Sequence, residues 1–248
     1  MKTFAVLGAT ALIASSASAQ NPPINDATWR GYSVTRIITA AGNTQYRVYA
    51  NYSASNITYL NAFDFRKVYA NGGGLPTQVG TNLNAYHSGL GDSTWIPQGT
   101  ATASHVNDDS WVTSTGTHVG SQTALDPSFV ESDADGNPIP EALATPPLWA
   151  GWYDATPATA NAVGAGSLGG WDGQNAVGGY QILLMNIVRQ GDDSTNGLGK
   201  FTFNLTSGFK YANTTQARFG LAQVSVGVPG PGALALLGLA GAFGRRRR

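Results

Sequence analysis

An antiparallel β-sandwich, jelly-roll-like or Ig-like with long loops, is the fold this sequence predicts. Three observations predict it. Apolar and polar residues alternate with a period of two in the first and last thirds of the chain. Gly/Asn/Asp turns separate those runs at hairpin spacing. Between the two terminal segments no apolar stripe recurs at helical spacing. Strands joined by short turns, with no helices interleaved, bury their apolar faces by sheet-on-sheet packing.

The first element is an export signal. Met1 and Lys2 form a short basic start, and Phe4 to Ile13 is an apolar run of about ten residues. Ala17 and Ala19 then place small side chains at the positions signal peptidase reads, which makes Gln20 the expected mature N-terminus. Residues 1–19 are therefore expected to be a signal helix, removed on export. Residues 20–226 follow as a β-rich ectodomain.

In that ectodomain the strand pattern starts at Trp29. Tyr32, Val34 and Ile38 alternate with polar or mixed residues up to a turn at Ala41, Gly42 and Asn43. Tyr46, Val48, Ala50 and Tyr52 then alternate against Arg47, Tyr49 and Asn51, a hairpin. Ile57, Tyr59, Phe63 and Phe65 extend the pattern into a third strand, broken by the glycines and Pro76 of residues 71–76. Short strands are expected near Ser110 to Thr113 and His118 to Thr123. Tyr180 to Arg189 is apolar enough for a buried strand. After a turn over residues 191–197, Phe201, Phe203 and Leu205 alternate with Thr202, Asn204 and Thr206, and Phe219 to Val226 closes the domain.

The loop-rich middle holds the candidate sites. Glu131, Asp133, Asp135, Asn137 and Glu141 surround Gly136, as oxygen ligands wrap a hard cation, so Ca²⁺ is the one metal the sequence suggests. The spacing departs from an EF-hand loop, because Pro138 takes the slot of the apolar residue and Glu141 falls one short of the bidentate position. A solvated acidic loop is the alternative, and no other cofactor is expected. Gly164, Gly166 and Gly169 match a dinucleotide fingerprint, and Ser167 a nucleophile elbow, but both need a strand–turn–helix context that is missing here. His87, His105 and His118 are the only histidines; on facing strands they would converge with Asp108 or Asp109 as a zinc site or a general base, and scattered surface residues are the alternative. Trp149, Trp152 and Tyr153 form the densest aromatic cluster, between Pro146-Pro147 and Pro157, on a loop or short edge element. Such rings either plug the core or stack on sugar faces.

The last segment, 227–248, contains Val228, Pro229, Gly230 and Pro231, an apolar run from Ala233 to Phe243, and Arg245, Arg246, Arg247 and Arg248. Eleven residues of helix reach about 17 Å, short of a hydrocarbon core of about 30 Å. The arginines would hold the end on the cytoplasmic side. A Pro motif, a short Leu/Ala/Gly helix and a terminal Arg cluster resemble the PEP-CTERM sorting signal, with Gly230 where the family motif carries Glu. The resemblance covers the tail alone. It implies export, transient inner-membrane contact through the tail, processing by an exosortase-like enzyme, and an association with exopolysaccharide. An ordinary tail anchor is the alternative.

Composition narrows the function. Charged residues make up 11% of the chain, against about 25% in an average soluble protein, so hydroxyls and amides solvate the surface. Without Lys2 and the tail arginines, nine basic residues face fourteen acidic ones, a charge of about −5. An acidic domain without a basic cluster suits no nucleic acid. The chain has no cysteine, which removes thiol chemistry and disulfides. The expectation is a non-catalytic cell-surface or extracellular-matrix protein that associates with polysaccharide. The alternative is a secreted glycan-active hydrolase working through Asp and His residues of the middle segment.

Overall fold

A computed structural model describes residues 25–65, 83–87, 95, 107–116, 123–125, 146, 149–155, 161–162, 164–167 and 178–227. The eleven elements among them are all strands. In chain order they are β1 (Trp29–Ile38), β2 (Thr44–Tyr52), β3 (Ile57–Phe63), β4 (Trp111–Val112), β5 (Thr123–Leu125), β6 (Trp152–Asp154), β7 (Asn161–Ala162), β8 (Gly164–Ser167), β9 (Gly178–Arg189), β10 (Phe201–Tyr211) and β11 (Arg218–Val226). They form two antiparallel sheets. One runs β1-β2-β9-β4, with β8 also on β9; the other runs β11-β10-β3-β6-β5, with β7 also on β3. The signal helix and the tail helix lie outside the described residues.

The β1–β2 hairpin follows the alternation directly. Gly42 takes φ 82° in its turn, a left-handed conformation that costs glycine little. The turn closes through Thr39 N–H to Asn43 O at 2.8 Å and Gly42 N–H to Thr39 O at 2.9 Å. Tyr32, Val34, Tyr46, Val48, Ala50 and Tyr52 are all buried on the inward face. Outward, Gln45 donates to Asn186 at 2.8 Å and Asn186 donates to the Asp109 carbonyl at 2.7 Å. These buried amides tie β2 and β9 to the Asp109 segment that packs on this face.

The third strand departs from the local pattern in two ways. β3 leaves the hairpin and pairs with β10 and β6 in the other sheet. It also stops at Phe63, because Asp64 turns to φ 59°, and Phe65 is buried beyond the break. β4 falls within the expected Ser110–Thr113 run, and β5 begins at Thr123, where the expected His118–Thr123 run ends, the rest of that run lying outside the described residues.

Both sheets contribute to one apolar cluster. Trp29 of β1 and Tyr52 of β2 meet edge to face at 5.5 Å, and Tyr52 meets Phe209 of β10 at 4.9 Å. At one side β11 approaches β1 closely, since a Cβ on Gly220 would overlap the Trp29 indole. Asp26 N–H donates to Phe219 O at 3.1 Å and Asn25 Oδ1 accepts from Leu221 N–H at 2.7 Å, which tie the lead-in of β1 to β11. The Asp26 carboxyl sits below its ordinary range. Burial alone would raise it, but the Thr28 amide and hydroxyl, the Tyr211 hydroxyl and Arg218 favour the carboxylate more.

Two polar groups are enclosed by this architecture. Tyr32 donates to Leu205 O at 3.0 Å and lies 2.9 Å from the Ser207 hydroxyl. The Tyr52 and Tyr59 hydroxyls approach the same serine without a hydrogen bond of good geometry, and burial raises both phenols well above their ordinary value. At the β9–β10 turn, Arg189 pairs with Asp193 at 2.8 Å, both side chains fully buried. Tyr46 also donates to Asp193, at 2.6 Å, and Arg189 donates to Gly199 O and Leu198 O.

Candidate functional site

The break at the end of β3 creates the most distinctive local geometry in the described residues. Across from Asp64, Trp149 adopts φ 74°. A bulky side chain in the left-handed region costs about 1–2 kcal/mol. Two backbone hydrogen bonds hold it there: Trp149 N–H to Phe65 O at 2.8 Å and Phe65 N–H to Ala150 O at 3.1 Å. The indole that results is 52% exposed, while Ala150 next to it is buried.

Three residues on, β6 alternates in the ordinary way. Trp152 is 1% exposed, faces Ala62 across β3, and donates its indole N–H to Thr113 O at 3.0 Å. Tyr153 points to the other face and is 44% exposed. The aromatic cluster is thus divided, with Trp152 in the core and Trp149 and Tyr153 at the surface. β6 is not an edge element, because it lies between β3 and β5. Flanking prolines do not force an edge position on a strand of three residues that contains none of them.

A second constellation comes from the middle of the chain. Residues 83–87 run beside the end of β9, with Tyr86 N–H donating to Val188 O at 2.7 Å. Ser110 N–H donates to Tyr86 O at 3.1 Å. This places His87 against Asp109, Nδ1 to Oδ1 3.3 Å, with both side chains over nine-tenths buried. The Trp95 ring meets the imidazole edge to face at 5.1 Å. Neither ring nitrogen makes a hydrogen bond of good geometry. A general base needs its accepting nitrogen within reach of a substrate, and this one is enclosed. His105 and His118 lie outside the described residues, among which no trio of His, Asp or Glu is arranged to hold a metal ion.

The Gly164–Ser167 segment is strand β8, antiparallel to β9, where a dinucleotide loop or a nucleophile elbow would need a turn into a helix. The acidic loop of Glu131, Asp133, Asp135, Asn137 and Glu141 lies outside the described residues. So do Ala17, Ala19 and Gln20, and the tail with Val228, Pro229, Gly230, Pro231 and Arg245 to Arg248. Among the described residues no helix is long and apolar enough to cross a membrane.

Phe219 was legible in the sequence only as a strand residue. The structure leaves it 36% exposed, with its ring edge-on to Phe63 at 5.9 Å. No signal in the sequence separates it from the buried phenylalanines of β10. Searches with this chain match no family model, no curated protein and no solved structure.

Proposed function

We propose that this chain is an exported, non-catalytic cell-surface or matrix protein whose facing sheets form a sandwich that binds extracellular polysaccharide at the Trp149–Tyr153 surface. The observation that carries the reading is Trp149. Strained backbone persists where the surroundings over-determine it, and it clusters at binding sites. Here the strain holds a large aromatic ring toward solvent, where burial would have been the stabilising choice. Exposed aromatic rings offer sugar faces a flat apolar surface, and the chain's low charge suits a ligand recognised through hydroxyls.

Affinity electrophoresis in gels cast with soluble polysaccharides tests the reading. Trp149→Gly and Tyr153→Ala are expected to weaken retardation. Trp149→Gly should leave stability within about 1 kcal/mol of the parent, because glycine removes a left-handed penalty of about 1–2 kcal/mol. Unchanged retardation in both variants would remove the support for a sugar platform. The His87–Asp109 pair is the observation that favours the hydrolase instead, and release of new reducing ends from the polysaccharide would decide for it.

Export and sorting belong to the same proposal. Signal peptidase is expected to cut after Ala19, and an exosortase-like enzyme to remove the tail after transient inner-membrane contact. Intact-mass measurement of surface-extracted protein should then lack residues 1–19 and the Arg245–Arg248 cluster. A mature mass that includes the four arginines would restore the simple tail anchor.

A further inference from the structure

The lead-in to β1 and the start of β11 enclose a cavity of about 430 Å³, lined by Asn25, Asp26, Gln216, Arg218 and Phe219. Small-molecule sites occupy about 300–1,000 Å³, so one sugar-sized unit fits. Backbone contacts fix the walls: Asp26 N–H donates to Phe219 O at 3.1 Å, and Leu221 N–H donates to Asn25 Oδ1 at 2.7 Å. The second bond also orients the Asn25 amide. Its oxygen is committed to β11, and its NH2 group is left to donate.

Two ions face each other in this cavity without closing. Asp26 Oδ1 accepts from the Thr28 N–H at 2.8 Å, the Thr28 hydroxyl at 2.7 Å and the Tyr211 hydroxyl at 2.9 Å. Those three donors hold the carboxylate in place, and none of them uses Oδ2. Arg218 Nη1 stands 3.8 Å from Oδ2, beyond hydrogen-bond reach. The guanidinium is engaged elsewhere, because Nη2 donates to Gln216 Oε1 at 3.1 Å and Cζ lies 5.9 Å from the Tyr211 ring centroid. A polar gap of that length is where a third group bridges. A group between a carboxylate and a guanidinium must donate to one and accept from the other, as a hydroxyl does.

We infer that this cavity is a second sugar site, where one unit of a neutral polysaccharide sets a hydroxyl between Asp26 Oδ2 and Arg218 Nη1 and the adjacent hydroxyl on the Asn25 amide. The inference rests on the polysaccharide reading above and adds to it a vicinal diol as the recognised group. Both bonds of the bridging hydroxyl involve an ion, which makes them stronger than neutral ones. The paired ions leave the cavity no net charge to attract an anion, and a domain of about −5 charge repels a polyanion. In the sheet β11 lies three strands from β6. Trp149 and the cavity therefore take different units of a polymer, and each site binds without the other.

The test uses the mature domain, with dextran in affinity gels and methyl α-glucopyranoside in an NMR titration. The Arg218 Nε–H resonance is the reporter, since that nitrogen is buried without an acceptor and belongs to the guanidinium the hydroxyl touches. It is expected to shift on titration in the parent and equally in Trp149→Gly. Asp26→Asn and Arg218→Met are each expected to weaken retardation by dextran about tenfold, the loss of one hydrogen bond to a charged group. The Arg218 side chain is 42% exposed, so Arg218→Met should keep the fold, and urea unfolding checks both variants. Dextran oxidised with periodate and reduced with borohydride stays neutral but loses its vicinal diols, and should not retard the protein. If it retards as well as untreated dextran, the diol site is overturned. If Trp149→Gly weakens binding while Arg218→Met and Asp26→Asn do not, the cavity site is overturned and the Trp149 platform stands. If only the cavity variants weaken it, the cavity site stands and the platform falls. A parent that dextran does not retard and whose Arg218 resonance does not move overturns the cavity site; retardation by another soluble polysaccharide would then leave the Trp149 reading in place.

Discussion

Trp152→Ala is expected to destabilise the domain by about 3–5 kcal/mol, the usual cost of emptying a buried tryptophan site. Trp152 is 1% exposed and is held from three directions. Ala62 and Leu125 face it across β3 and β5, and its indole N–H reaches Thr113 O at 3.0 Å. That last bond links the β6 core position to the chain just after β4, in the other sheet. Truncation therefore opens a cavity and removes a contact between the sheets together. Trp152→Phe separates the two effects, because it keeps most of the ring and loses a hydrogen bond worth about 0.5–1.5 kcal/mol. Urea unfolding of the mature domain is the measurement. A Trp152→Ala loss below about 1 kcal/mol would contradict a core role, since buried tryptophans do not vacate at so small a cost. The same experiment on Trp149 should show the opposite behaviour, which makes the division of this aromatic segment a measurable property.

Asp193→Ala is expected to cost about as much, roughly 3–5 kcal/mol, by leaving a buried guanidinium without its counter-ion. Arg189 and Asp193 are both fully buried, 2.8 Å apart. Asp193 also accepts from Tyr46, whose phenol is raised well above its ordinary value by burial and by the carboxylate beside it. Its own N–H donates to Thr44 Oγ1 at 2.8 Å. Removing the carboxylate strands a charge and a hydroxyl together. Replacing both partners, as Arg189→Met with Asp193→Leu, should lose far less than the single change, because no buried charge is left behind. If the double variant is as unstable as Asp193→Ala, the ion pair is not what holds the turn. The neighbouring Arg36–Asp192 pair is 2.7 Å long and its carboxylate is exposed, so water screens it more than the enclosed Arg189–Asp193 pair and its removal should cost less.

Much of the scaffold could be read from local pattern. The inward set of the first hairpin, the apolar run of β9 and Phe201, Phe203 and Leu205 of β10 all occur where period-two spacing places them, although Thr202, Asn204 and Thr206 of β10 are buried as well. Each of those strands has long apolar or alternating stretches, and a half-buried strand cannot slip one residue without exposing its whole face. The short elements were less legible. Trp111–Val112 and Thr123–Leu125 carry too few residues for any period to show, and their positions are set by the strands they join. β4 shares an edge of β9 with β8, and the Tyr86 segment continues that edge toward Val188.

The candidate site was legible in composition and hidden in geometry. The sequence marked Trp149, Trp152 and Tyr153 as a unit, and His87, His105 and His118 as residues that facing strands would gather with Asp108 or Asp109. Of these, His87 and Asp109 stand 3.3 Å apart, and they are enclosed. The aromatic unit splits because Trp149 takes φ 74° while β6 alternates normally. A left-handed tryptophan has no residue signature, since its conformation is imposed by hydrogen bonds to Phe65, more than eighty residues earlier in the chain.

By itself, then, the sequence determined the β class of the described residues, the inward faces of their long strands, the absence of thiol chemistry and a low content of charged residues. These follow from side-chain periodicity and residue counts, which are local or additive. Only the tertiary structure decided that β3 leaves the hairpin for the opposite sheet, that β6 is interior, and that Tyr153, Asn61 and Phe219 stand in one row. Those outcomes depend on which distant strands pair and in what register. Pairing is governed by contacts between segments far apart in the chain, and two strands of the same period are interchangeable until packing selects between them.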